Sequence, residues 1–392
     1  MLFSDIIGQS RPKQFLSALA QSGRVPHALL FLGPTGGGSL ALALAFAQML
    51  QCERMGAAAA AEEGPSLFGD ALPPEPAAPP AAEACGVCGA CRKAAALVHP
   101  DVHFSFPTVG TNAVSTDFLK EWRAFLGESA YADANTWLQR LGAENKQGNI
   151  NKEECNAIVK KLSLKTFEGR HKVLLMWLPE YLGKEGNRLL KLIEEPPEQT
   201  VFLLVAENQE LILNTILSRC QLLKTDPLSD EDVAQALCQQ HGVERSRAEQ
   251  IAFLAGGNLG TALAMVQHPD HDDARMLLDW FRRCWKGHAV ELVRWTETFA
   301  QLGRENQKQF LHYALHFLRE MLALIVRPEP ASARLQPDEL ATAQNMARVL
   351  NFDKIGQMVA LLNDNIYYVE RNANSKILFL ETSIRLNRIM KS

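Results

Sequence analysis

His27-Ala28-Leu29-Leu30-Phe31-Leu32-Gly33-Pro34-Thr35-Gly36-Gly37-Gly38-Ser39-Leu40 is the stretch that decides the fold. An apolar run reads as a buried strand, a glycine-rich turn follows, and Ala41–Leu50 continues as an apolar helix. Strand, loop and helix in that order are the setting in which a phosphate-binding loop is credible. Such a loop needs glycines so that backbone N–H groups can face phosphate. It also needs a lysine for the β/γ-phosphates and a Ser/Thr for magnesium. Gly33, Gly36 and Gly38 meet the first requirement, but Ser39 stands at the lysine position and Leu40 at the Ser/Thr position. No lysine occurs anywhere from 33 to 50. A unit charge lost at about 4 Å from phosphate forfeits on the order of 4 kcal/mol at an effective dielectric of about 20. That is nearly a thousandfold in affinity. Ordinary ATP hydrolysis is not expected here, and the plainer alternative is a simple glycine-rich turn.

Outward from this unit, Lys172–Trp177 and Val201–Val205 are further apolar runs, each followed by a turn and a helical pattern. Repeated βα units predict a parallel sheet, hence an α/β domain over 1–225. After Pro227 the strand signals stop. Ser229 followed by Asp230-Glu231-Asp232 reads as an N-cap with an acidic first turn, opening a small helical segment over 226–272. From 273 to 392 the pattern is helical throughout. Phe310, Leu311, Ala314, Leu315, Leu318 and Leu322 form one apolar stripe, and Ile355, Met358, Val359, Leu362 and Ile366 another, as the core of a bundle requires. Residues 53–84, with an Ala57–Ala61 run and the prolines 73, 74, 76, 79 and 80, predict a disordered insertion. In 108–150, Trp122, Phe125 and Leu126, then Trp137, Leu138 and Leu141, recur at helical spacing, but no role follows from the sequence.

The 392 residues are too many for one ordinary domain, and 47% hydrophobic with 21% charged residues excludes global disorder. Forty basic against forty-four acidic residues give a net charge of −4. A polybasic chain gripping nucleic acid by bulk charge is thereby excluded, and a stand-alone DNA-binding protein is disfavoured. No run approaches the roughly 18 apolar residues of a membrane span, and the first residues carry no signal-peptide pattern. The expectation is a soluble, cytoplasmic chain whose eight cysteines are thiols or metal ligands rather than disulfides.

Cys85-Gly86-Val87-Cys88-Gly89-Ala90-Cys91 is a doubled C-x-x-C. Three thiolates leave a tetrahedral Zn²⁺ one ligand short. Cys52, at the end of the loop's helix, is the expected fourth, making a zinc module over 52–91; His99 competes for the position. Cys155, Cys238 and Cys284 are isolated and read as buried small apolar residues, and Cys220 has no local His or Asp partner.

Several motifs carry a resemblance. They are Gln9, Val25-Pro26-His27-Ala28, Asn187-Arg188-Leu189-Leu190-Lys191, Glu194-Glu195-Pro196-Pro197 and Thr215-Ile216-Leu217-Ser218-Arg219-Cys220. From residue 3 to about 266 the chain resembles the bacterial clamp-loader AAA+ subunits of DNA polymerase III, the gamma/tau and delta-prime group. The resemblance implies an AAA+ P-loop-type sheet domain, a helical lid and an all-α C-terminal collar. It implies a four-cysteine zinc site after the loop's helix, here with a longer first gap, which favours Cys52 over His99. It also implies that Leu178 stands where active members carry an acidic pair, and Gly260 where they carry a sensor arginine. With Ser39, three nucleotide-handling positions are lost together, while Ser218-Arg219-Cys220, whose arginine would act as a finger on a neighbour's ATP, is intact. That is the delta-prime pattern. It implies a non-hydrolysing part of the DNA-directed DNA polymerase III holoenzyme, a nucleotidyltransferase complex. The partners would be gamma/tau and delta in a hetero-oligomeric ring, and through the ring the sliding clamp and primer-template DNA, with no membrane. Zn²⁺ would be the chain's cofactor and ATP would sit only on neighbouring subunits. The alternative is an ATP-hydrolysing gamma/tau-type subunit.

Overall fold

The computed structural model describes residues 1–55, 83–142, 148–267, 273–326, 335, 337–371 and 373–392. The disordered insertion expected over 53–84 falls outside the described residues at 56–82.

Five strands form one sheet: β1 (Ala28–Leu32), β2 (Val102–Ser105), β3 (Lys172–Trp177), β4 (Thr200–Ala206) and β5 (Gln221–Lys224). Their spatial order is β2-β3-β4-β1-β5, and every neighbouring pair is parallel. Leu30 of β1 lies opposite Leu204 of β4 and Leu222 of β5, and Leu204 lies opposite Met176 of β3. β3 and β4 are buried at every position, which is why both read as unbroken apolar runs rather than alternating ones. β2 and β5 have four residues each and carried too little apolar signal to be called from periodicity.

Helix α1 (Ser10–Ser22) precedes β1, and α2 (Ser39–Gln51) follows it with all thirteen residues buried. One core combines Leu30, Leu174, Met176, Phe202 and Leu204 of the sheet with Cys155, Ile158 and Leu162 of helix Lys152–Leu162 and Ile193 and Ile216 beyond β3 and β4. Because β1 lies between β4 and β5, the chain leaving β1 emerges where strand connections diverge, the place where open parallel sheets present a crevice at their carboxyl ends. The glycine-rich loop occupies that place. A parallel sheet with the loop at this place is the architecture expected from the sequence.

The chain divides into two compact units, Met1–Ala264 and Met265–Ser392. Ser229 caps helix Asp230–His241 by accepting the Asp232 N–H at 3.1 Å, as its sequence suggests. Helices Arg245–Ala255 and Leu259–Gln267 follow. The second unit is all helical among its described residues, around Trp280, Phe299, Phe310, Phe317, Leu362 and Phe379.

Candidate phosphate loop, metal centre and edge arginine

The loop after β1 is shaped as a phosphate cradle. Gly36 and Gly38 have φ of 70° and 99°, and Gly38 caps α2. A side chain at 38 would be strained and would also meet Tyr131 Cε1 at 3.2 Å. Yet the cradle is filled by the chain itself. Asn258 sits so close to Gly36 that a Cβ there would lie 1.9 Å from its Oδ1, and the Leu259 N–H donates to the Gly36 carbonyl at 3.2 Å. Tyr131, buried with its hydroxyl accepting the Ile7 N–H at 3.1 Å, covers the other side. Gln9 Nε2 donates to the carbonyls of Gly37 and Asp226, fastening the loop from beneath. A cavity of about 20 Å³ remains, lined by Thr35, Gly38, Tyr131, Trp177 and Glu207 among others. A single water needs roughly 10–15 Å³ by this measure, so the space between the loop and Tyr131 is narrow.

The three positions named from the sequence have defined surroundings. Ser39 is buried, its hydroxyl 2.7 Å from Thr225 Oγ1 beyond the end of β5. Leu178 is 2% exposed with φ 58°, a left-handed turn uncommon for a bulky residue, and its N–H donates to the Val205 carbonyl at 2.8 Å. Glu180, the carboxylate nearest that turn in sequence, accepts the N–H groups of Glu207 and Asn208 at 2.6 and 2.8 Å. It staples the loop after β3 to that after β4; burial pushes its pKa up against those hydrogen bonds. Gly260 lies in the first turn of helix Leu259–Gln267, where a Cβ would come within 2.5 Å of the Tyr131 carbonyl oxygen. An arginine at 260 does not fit this arrangement.

The cysteines come together as expected. The sulfurs of Cys52, Cys85, Cys88 and Cys91 all lie within 4.8 Å of one another, and the Cys85–Cys91 pair is 3.9 Å apart. Tetrahedral Zn–S bonds of about 2.3 Å place sulfurs about 3.8 Å apart, so the cluster fits zinc with sulfur shifts of about 1 Å or less. Cys52 comes from the end of α2, and Cys91 from α3 (Gly89–Ala95), whose N-cap is Cys88. The Cys85 N–H points at Cys52 Sγ and the Cys91 N–H at Cys88 Sγ, each at 3.4 Å. Burial and neighbouring thiols hold the Cys91 thiol well above its ordinary value; a cation is what makes four thiolates tenable there. His99 is not part of the cluster. Its Nδ1 accepts the Asp101 N–H at 3.2 Å, a local cap.

Arg219 follows helix Asn214–Leu217 and directly precedes the edge strand β5. Its guanidinium donates to the Thr215 carbonyl at 2.6 Å and to Ser218 Oγ at 3.1 Å, and pairs with Glu194. Two motifs far apart in sequence, Glu194–Pro197 and Thr215–Cys220, meet at that ion pair. About a third of the Arg219 side chain is exposed.

A family model described as DNA polymerase III, delta subunit, matches residues 77–229, which include three of the four clustered cysteines and Arg219. The chain is 25% identical over 186 residues to the DNA polymerase III subunit delta' of Bacillus subtilis, covering 46% of this chain and 55% of that one. It is 25% identical over 311 residues to the delta' subunit of Escherichia coli, covering 78% and 73%. These matches support a clamp-loader subunit of DNA polymerase III. The match spans about half the length of the Bacillus relative. A shorter stretch, 104 residues at 36%, matches the Escherichia coli tau subunit over 25% of this chain and 16% of tau. Among the described residues, no helix is long and apolar enough to cross a membrane.

The residues that sequence reasoning missed are Tyr131 and Asn258, which pack on Gly38 and Gly36 of the loop, and Glu194 as partner of Arg219. Asn258 stands two residues before Gly260 with no local pattern that marks a role, and nothing local to Tyr131 signals a contact with a loop more than ninety residues earlier.

Proposed function

We propose that this chain is a non-hydrolysing, delta-prime-like subunit of the clamp loader, which helps to place the sliding clamp on primed DNA. In this role it contributes no ATP chemistry of its own and presents Arg219 to the ATP of a neighbouring gamma/tau subunit. The division into sheet domain 1–225, lid 226–272 and collar 273–392 belongs to the same reading. The observation that carries it is the state of the loop, which lacks a lysine, has Asn258 packed on Gly36, and keeps a cavity of only about 20 Å³ beside Tyr131. Arg219 supports it from the other side. A guanidinium is always charged and offers a planar fork suited to phosphate, and at the sheet edge it is held by an ion pair with one exposed glutamate.

Zn²⁺ on Cys52, Cys85, Cys88 and Cys91 would supply structure rather than catalysis. All four ligands come from the chain, leaving no open position for a water or substrate.

The test is nucleotide binding and turnover by the purified chain. The expected result is no ATPase activity and no affinity tighter than about 10 µM, roughly −7 kcal/mol. Tight binding with turnover that a change at Gly38 or Ser39 abolishes would instead mean the ATP-hydrolysing gamma/tau type.

A further inference from the structure

The excursion between Thr108 and Asn149 is the least explained part of the first unit, and it is built to reach the phosphate loop. Its neck is an antiparallel bridge in which Thr108 and Asn149 exchange both backbone hydrogen bonds at 2.9 Å. Its body is anchored on the sheet by an aromatic cluster. Trp122 stacks on Phe106 with centroids 4.3 Å apart and lies 5.3 Å from Trp177 at the end of β3, while Trp137 meets both Phe106 and Trp122 edge-on. The indole N–H of Trp137 donates to the Pro107 carbonyl at 2.7 Å. Trp122 and Trp137 are fully buried. So anchored, the segment delivers Ala130-Tyr131-Ala132 into the crevice at the carboxyl ends of β1 and β4.

Tyr131 touches three parts of the chain at once. Its ring lies against Gly38 of the loop, its hydroxyl accepts the Ile7 N–H, and its carbonyl oxygen lies over Gly260 in the first turn of helix Leu259–Gln267. The same helix start is bonded to the loop through Leu259 and Gly36. Glycine at 260 and at 38 thus has one shared cause, since a side chain at 38 would press on Tyr131 and one at 260 would collide with it.

We propose that Ala130-Tyr131-Ala132 is a built-in occupant of the phosphate loop, standing where a nucleotide would stand and tying the helices after Pro227 to the sheet without any ligand. The proposal rests on the reading that this loop holds no nucleotide, and deepens it by naming what holds the crevice instead. The helix carrying Gly260 is then fixed to the loop in every state of the subunit.

Amide hydrogen exchange of the full chain tests it, read at residues 33–40 and 256–264. In the wild type both segments exchange slowly, and millimolar MgATP does not alter them. Tyr131→Ala is expected to speed exchange about tenfold or more in both segments together, with zinc content unchanged. Gly260→Ala, which pushes the Tyr131 carbonyl away, loosens the same two segments. Tyr131→Phe keeps the ring and loosens chiefly residues 5–9. Unchanged exchange at both segments in folded Tyr131→Ala and Gly260→Ala overturns the proposal, as does wild-type exchange that MgATP slows. Should Tyr131→Ala fail to fold, Gly260→Ala and Tyr131→Phe carry the test. ATP turnover by the wild type, assayed separately, would overturn both the non-hydrolysing role and the occupied loop, whereas no turnover together with unchanged exchange in the variants would overturn the occupant alone.

Discussion

The role proposed for Arg219 asks for little change at the residue itself. Its pairing with Glu194 is at the surface, and exposed ion pairs contribute about 0–1 kcal/mol. Exchanging that carboxylate for a γ-phosphate on an adjacent subunit therefore costs little, whereas a trans arginine can supply roughly 10³–10⁵ in rate. In a reconstituted loader, Arg219→Ala is expected to depress DNA- and clamp-stimulated ATP turnover, with assembly by gel filtration unchanged. The drop is smaller than about 10³ if other fingers act in the same ring. Arg219→Lys should rescue poorly, because an ammonium keeps the charge and loses the fork. Glu194→Gln should leave turnover at or above the wild-type level, since it only releases the arginine. Wild-type turnover in an assembled Arg219→Ala complex would reduce the chain to a passive wall. Ser39→Lys alone should not create ATP affinity, because the charge returns to a loop with room for little more than a water; calorimetry with MgATP measures this.

At the scale of elements, what the sequence made legible was whatever had a short period or a short spacing. β3 and β4 are buried throughout, and β1 at all but its last residue, so they declare themselves as apolar runs, and the doubled C-x-x-C brings out three cysteines by spacing alone. The fourth ligand was harder, since Cys52 and Cys85 meet only because α2 ends beside α3. The excursion after Phe106 was legible as helical but not as a plug, because what places Tyr131 against Gly38 is tertiary aromatic packing that leaves no trace near residue 131. Zinc tests the element that α2 and α3 build. One zinc per chain is expected by elemental analysis. Cys52→Ala should lose it and loosen the ends of both helices, because metal binding and local folding are coupled, and His99→Ala should retain it. Acidification should release the metal, since protons compete for thiolates. Zinc retained in Cys52→Ala and lost in His99→Ala would reassign the fourth ligand.

For the whole molecule, the consequential feature is that each compact unit has its own apolar core. That of Met265–Ser392 is crowded with aromatic rings: Trp280 stacks on Trp295 with centroids 5.2 Å apart and an interplanar angle of 8°, and approaches Phe310 and Phe379. Its indole N–H donates to Ser383 Oγ at 2.9 Å, and that hydroxyl donates onward to the Phe379 carbonyl at 2.6 Å. Trp280 is fully buried, so Trp280→Ala removes a large ring and leaves Ser383 without a donor. Core Trp→Ala changes cost about 3–5 kcal/mol. A comparable loss is expected in the unfolding of this unit, followed by denaturant titration with exchange read separately in each unit. Zinc content and slow exchange at residues 33–40 should persist, because the cysteine cluster and the filled loop draw on no residue of the second core. If the helical unit is the collar through which the ring assembles, the same variant should fail to co-elute with gamma/tau and delta. Arg219→Ala, at the rim of the other unit, should co-elute normally and fail only in turnover. One variant that loses assembly and keeps its zinc, and another that keeps assembly and loses rate, would separate holding the ring together from acting on its neighbour. Loss of zinc in Trp280→Ala would show instead that the two cores stand or fall as one.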